Sequence, residues 1–338
     1  MARLFLIVNG IKGQTTVTLF ESLAAKLAER HDVELVTTKR YASKLAMLLE
    51  PRRDYLSKVW SSDTVIVHSP VVTSLQEVVL ASVLRKRIIA VVWDLYPESI
   101  VYLKGTRLTR ALKLYGLIED FLLRRAHKLI VSNKDYSRHP SIARFRNVQE
   151  FTMWQSHSRQ LPVARRETDG PLQIAFAGQI NHIRNPYNAV LQLIRATTRP
   201  IVLHVFSPDP FLLDGQEPLP RERVTIVEHS FLPEAELAAR LNQFDAGLVS
   251  LDPSFPLPAF PSKMFSYVDA ALPILFYGPE RSAVHEFIAD TGVGLSLGPQ
   301  TAHPIDDNIL ALKDDFDEAR RRFSATTDLT WERLGDFL

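Results

Sequence analysis

FPSKMFSYVDAALPILFYG, running from Phe260 to Gly278, holds the fold in miniature. A Pro-Ser pair opens it, an apolar helical stretch follows from Met264, and LPILFYG (272–278) is a near-continuous apolar run stopped by glycine. A strand that is apolar at successive rather than alternate positions is buried on both faces, as in a parallel sheet covered by helices. Lys263 is the misfit. Basic side chains are disfavoured in a helix's first turn, where the macrodipole is positive. An anion held between the lysine and the free N–H groups of that turn removes the conflict, and a diphosphate is the natural candidate.

The same alternation extends outward in both directions. Ahead of it stand LQIAFAGQI (172–180), a helix over 186–198, IVLHVFSP (201–208), VTIVEHS (224–230), a helix over 233–244 and AGLVSL (246–251); after it come a helix over 282–290 and VGLSL (293–297). An earlier set repeats the scheme: RLFLIVNG (3–10), a helix over 15–30, DVELVTT (32–38), a long helical region, TVIVHSP (64–70), a helix from Ser74 to about Lys86, RIIAVVWD (87–94), a helix from Thr106 to Ala126 and KLIVSN (128–133). The polar segment 156–171, with two prolines and a glycine, interrupts the pattern and reads as a linker. The expected fold is therefore α/β with two Rossmann-like parallel-sheet domains facing across a cleft. The first covers 1–155, the second 172–322, and a helical tail over 323–338 docks back on the first.

Length and composition agree: 338 residues, 46% hydrophobic and 23% charged, suit two medium domains. With no cysteine, disulfide scaffolds, thiolate catalysis and cysteine-ligated metals are excluded. The apolar run at the N-terminus is too short for a secretory signal. No run approaches the roughly 18 residues of a membrane span. A cytoplasmic chain, soluble or peripheral, is expected. The net charge of +2 hides an asymmetry: residues 1–155 carry 24 Lys+Arg against 14 Asp+Glu, and the remainder 16 against 24. The basic half either faces something anionic or carries an uneven scatter of solvated cations.

In open α/β sheets ligands bind beyond the carboxyl ends of the strands, so residues just after strands are the ones to weigh. The loop NGIKGQT (9–15) places Gly10 and Gly13 between the first strand and helix, without the full dinucleotide fingerprint. VVWDLYPES (91–99) puts Trp93 and Asp94 at the carboxyl edge of the fourth strand. Two readings stand for Asp94, a general base in a partly desolvated cleft or a turn residue. In the second half Gly178 follows a strand, and Arg184, a phosphate-type ligand, precedes the next helix. Ser262 caps the helix that begins with Lys263. His182 and His229 lie on loops beside the same edge, and for each a solvated role stands beside a ligand role. Asp315 and Asp317 have D-x-D spacing but fall in an acidic helix rather than after a strand, and the ten histidines show no zinc-ligand spacing. No metal is expected.

FAGQI (176–180), VEHSFLPEAEL (227–237), DAGLVSL (245–251), PSKMFSYVDAALPI (261–274) and TWERL (330–334), in this order and spacing, resemble the nucleotide-sugar domain of GT-B glycosyltransferases of the group 1 type. VWDLYPES is similar to a segment of bacterial polysaccharide members. The resemblance implies a transferase using a UDP-sugar and no other cofactor. Base and ribose would lie near Glu228, His229, Ser230 and Phe231, and the diphosphate at Gly178, Arg184, Ser262 and Lys263. The acceptor, lipid-linked or a polysaccharide precursor, would meet the first domain at Gly10, Gly13 and Trp93. Gln179 stands where many retaining members have arginine, and Pro258 and Ser266 stand where they carry a glutamate pair. The lysine-bearing version without that pair is similar to the xanthan glucuronosyltransferase type, which implies inversion with Asp94 as base. A UDP-sugar 2-epimerase and a catalytically silent partner subunit are the alternatives. The cations of 106–128 add an anionic membrane surface as partner; nucleic acid is not expected, since no recognised binding module accompanies the charge.

Overall fold

The computed structural model describes residues 1–10, 14–38, 50, 52–155, 161–162, 170–213, 215–230, 232, 234–298, 301 and 304–338. Gly13, Phe231 and most of the 156–171 linker lie outside these. Two compact units result. One comprises Met1–His157, Leu257–Phe260 and Thr327–Leu338; the other comprises Ser158–Pro256 and Pro261–Thr326.

The first unit is built on six parallel strands, β1 (Arg3–Val8), β2 (Asp32–Thr37), β3 (Thr64–His68), β4 (Arg87–Val92), β5 (Lys128–Val131) and β6 (Val148–Glu150), in the order β2-β1-β3-β4-β5-β6. Leu4 to Val8, Val65 to Val67 and Ile88 to Val92 are buried at every position, so the continuous apolar runs are strands covered on both faces. The chain reverses its direction of winding between β1 and β3, which makes that pair the switch point. The helix expected from Thr106 to Ala126 is a single shorter one, Arg110–Leu123, whose N-cap Thr109 accepts from the Leu112 N–H at 3.3 Å; a further helix, Glu98–Lys104, ended by left-handed Gly105, precedes it and was not expected. The tail helix Trp331–Phe337 belongs to this unit. Its Trp331 donates to Glu29 at 2.9 Å, and Phe337 packs edge-on to Phe151 and Trp154.

The second unit has six parallel strands, β7 (Leu172–Ala177), β8 (Ile201–Phe206), β9 (Val224–His229), β10 (Ala246–Ser250), β11 (Ile274–Tyr277) and β12 (Gly294–Leu297), in the order β12-β11-β10-β7-β8-β9. Counted from β7, this is the 3-2-1-4-5-6 order of dinucleotide-binding sheets, with its switch point between β7 and β10. Its core includes Ile174, Phe176, Leu193, Leu203, Leu248 and Leu275, each fully buried. Asp315 does not continue an acidic helix as expected; it ends Asp306–Asp314, and a separate helix, Phe316–Thr327, follows. Phe316, the first residue of that second helix, is fully buried.

Candidate functional site

At the β7/β10 switch point the chain leaves β7 through Gly178, whose φ of +125° only glycine adopts without strain. The neighbouring strand end is locked to β7 by one side chain. Tyr267, fully buried, accepts from the Ala177 N–H at 2.9 Å and donates to the Leu248 carbonyl at 3.2 Å. Its ring lies so close to β10 that a Cβ on Gly247 would stand 2.6 Å from it. The loop beyond Gly178 is equally fixed. Asp209 accepts from the Ile180 N–H, the Asn181 side chain accepts from the N–H groups of Ile183 and Arg184, and Ser250 donates to the Asn185 carbonyl. Arg184 is thereby held exposed at the same edge.

Lys263 enters this edge from the Lys263–Asp269 helix. Its Nζ is shielded from solvent and has no hydrogen-bond partner among the described residues. The exposure the residue keeps belongs to its other atoms. The ammonium sits 3.8 Å from the centroid of the Phe176 ring, a cation–π contact, and a Cβ on Gly178 would come 3.4 Å from it. Burial, and then the Arg184 charge, drive its pKa down to about 7. Ser262 holds the N-cap position, but in helical conformation and without a capping bond from its side chain. Its hydroxyl therefore does not do the capping the sequence led us to expect. A glycine that admits close approach, a cation with no counter-ion among the described residues and an arginine converge at one strand end. Such an arrangement can stabilise a multiply charged oxyanion.

The residues expected near base and ribose, Phe231 aside, lie at the outer edge of the same sheet, two strands from β7. Glu228 accepts from the Phe211 N–H at 2.9 Å. His229 stacks flat on Phe206, with centroids 4.4 Å apart, and its Nε2 lies 2.9 Å from His204 Nδ1; burial and then Arg240 lower its pKa. Ser230 is exposed. His229 Nε2 is thus committed to a histidine pair that ends on Gln173.

In the first unit Asp94 is exposed at the end of β4 and lines a recess with Tyr96, Gly116, Glu119, Ser141 and Arg144. Glu119 is its most unusual member. Its two oxygens accept from the Val71 and Val72 N–H groups at 2.7 Å each. Burial nevertheless raises its pKa to about 7, against the lowering by those two bonds. Trp93 is turned into the core, at ring-centroid distances of 5.4 Å from Phe20, 5.2 Å from His68 and 5.1 Å from Trp154. That burial is at odds with a loop role for its side chain. Gly10 follows Asn9, whose amide donates to the His68 and Pro70 carbonyls and whose oxygen accepts from Thr73. The β1/β3 switch point is therefore organised by Asn9, His68 and the Ser69-Pro70 turn, none of which the sequence singled out. His68 is buried with both ring nitrogens unpartnered among the described residues, and burial drives its pKa down to about 3.

No protein-family model and no curated protein sequence matches the chain. Solved structures do. The apo form of the lipopolysaccharide outer core galactosyltransferase WaaB superposes with a TM-score of 0.60 at 12% identity, over 99% of this chain and 98% of that one. HepE of Anabaena, in complex with UDP and glucose, gives 0.57 at 10% identity over 98% and 96%. AviGT4, a glycosyltransferase involved in avilamycin A biosynthesis, gives 0.54 at 11% over 97% and 93%. Taken with the two six-stranded parallel sheets, these likenesses show that the chain has the GT-B glycosyltransferase fold of two Rossmann-like α/β domains.

Proposed function

We propose that the chain is a glycosyltransferase that moves a sugar from a UDP-linked donor to a lipid-linked or polysaccharide-precursor acceptor, with inversion and without a metal. The observation that carries this is Lys263: a shielded ammonium with no hydrogen-bond partner among the described residues, beside a left-handed glycine at a switch point. Burying an unpaired cation is costly, and a diphosphate supplies the missing counter-charge. Lys263 and Arg184 then neutralise the leaving UDP as the glycosidic bond breaks. The base end reaches toward His229 and Phe206, two strand spacings or about 10 Å away. In the first domain Asp94 takes the proton of the acceptor hydroxyl as the new bond forms. The names of the WaaB and HepE structures, a galactosyltransferase and a complex with UDP and glucose, support the reading of a sugar transferase with a UDP-linked donor.

Calorimetry and turnover with a panel of UDP-sugars test it. UDP should bind, and UDP release should require an added acceptor. Release from donor alone would favour a 2-epimerase, and UDP binding with no turnover for any acceptor would favour a silent partner subunit. Absence of UDP binding would refute the donor site itself.

A further inference from the structure

The Arg110–Leu123 helix carries two apolar faces, and only one of them is buried. Leu122 and Leu123, with Glu119, pack inward. On the opposite side Leu114, Leu117 and Phe121 are 59%, 67% and 48% exposed. Their i, i+3, i+7 spacing makes one continuous stripe along the outer face. The stripe has charge at both ends. Arg110 lies one turn before Leu114, with Lys113 alongside, both exposed; at the far end exposed Arg124, paired with Asp120, lies three residues after Phe121. Arg125 lies over the Phe121 ring, its guanidinium carbon 3.3 Å from the centroid. The acids of the helix leave this face clear of negative charge: Glu119 is buried and Asp120 pairs with Arg124 and Arg144. Tyr102, Leu103 and Leu108, just before the helix, are also exposed.

We infer that this face docks on a bilayer containing anionic lipid, with Leu114, Leu117 and Phe121 in the acyl boundary and the cations at the headgroups. A leucine and phenylalanine stripe with arginine and lysine at its borders is the pattern of a helix lying in a membrane interface. Long basic side chains reach the headgroups while their stems cover the apolar stripe. A purely basic face would suit nucleic acid equally; the apolar centre does not. No helix among the described residues is long and apolar enough to cross a membrane, so the attachment is to one leaflet. The inward side of the same helix contributes Gly116, Glu119 and Asp120 to the recess that holds Asp94. A docked helix therefore sets that recess about one helix diameter, 10–12 Å, from the lipid, which suits the proposed lipid-linked acceptor.

The test is co-sedimentation of the full chain with vesicles of phosphatidylcholine alone or mixed with phosphatidylglycerol. Binding to the mixed vesicles is expected to exceed binding to neutral ones by roughly tenfold or more and to fall steeply with salt. Leu117→Gln combined with Phe121→Gln, and separately Arg110→Glu combined with Lys113→Glu, should each reduce it by about tenfold or more. Their melting temperatures and UDP affinity should be unchanged. No binding of the wild type to either vesicle, or equal binding by all variants, overturns the inference. So does a concentration-dependent dimer in sedimentation that Leu117→Gln with Phe121→Gln abolishes, because the stripe would then be covered by a second copy. UDP affinity is read on the same samples, so failure of the donor site and failure of the docking face are separate results.

Discussion

Replacing Lys263 by methionine keeps the stem that fills the space beside Phe176 and removes only the ammonium. If that ammonium meets a diphosphate, a charge-assisted contact of about 1.5–3 kcal/mol is lost, and UDP affinity should fall by a factor of roughly 10 to 150. The pH dependence is the sharper signature. The pKa of Lys263 is lowered from 10.5 to about 7 by burial and by Arg184, so between these values the unfolded chain binds more protons than the folded one. Stability without ligand should therefore rise with pH across that window, by at most about 1.4 kcal/mol per pH unit, and the methionine variant should lose this rise. Bound diphosphate restores the positive form, so at pH 8 UDP binding should take up as much as one proton, and affinity should weaken as pH increases above 7. Phosphate oxygens ionise near pH 6, so proton uptake at pH 8 reports on the protein. Titration calorimetry in buffers of different ionisation enthalpy measures it directly. Heats independent of buffer at pH 8, together with unchanged UDP affinity in the variant, would refute the phosphate role.

Asp94→Asn should preserve UDP affinity and lower turnover by about 10²–10⁴, and NMR of the wild-type product should show inverted anomeric configuration; retention would remove the base role. Tyr267→Phe leaves the Ala177 N–H without its acceptor. It should cost about 1–3 kcal/mol of stability, read by denaturant unfolding, and loosen UDP binding because Ala177 precedes Gly178. Glu119 has a pKa raised from 4.5 to about 7, so the folded chain binds the extra proton in that interval. Its contribution to stability is present below pH 4.5 and lost as pH rises through 7, and Glu119→Gln should flatten that part of the profile. His68, lowered from 6.5 to about 3 by burial, acts oppositely. Its contribution is full above pH 6.5 and lost as pH falls toward 3, which proton NMR should register as an imidazole that stays neutral at pH 5.

What the sequence reveals about this molecule depends on whether the cause is local. Strands β3, β4 and β10 are legible because burial on both faces writes itself into consecutive residues, as in TVIVH and AGLVS. Lys263 is legible because a lysine in a first helical turn conflicts with the helix dipole, and that conflict needs no knowledge of the partner. Phe176, which cradles its ammonium, is far away along the chain and looks like any other core residue. Tyr267 is hidden in the same way. In sequence it is one aromatic among the apolar positions of a helix, and only strand order shows that its hydroxyl joins β7 to β10 at the switch point. Strand order also decides that the first unit's switch point falls between β1 and β3, where Asn9 ties the loops together, rather than at the end of β4. The outer stripe of the Arg110–Leu123 helix was half visible. Its cations stand out in the sequence, but its leucines do not, because a helix apolar on more than one face is usually buried on more than one. Exposure separates the two cases. A second apolar face left in solvent costs free energy unless something covers it, so the same fact that made the stripe illegible as sequence makes it informative as structure.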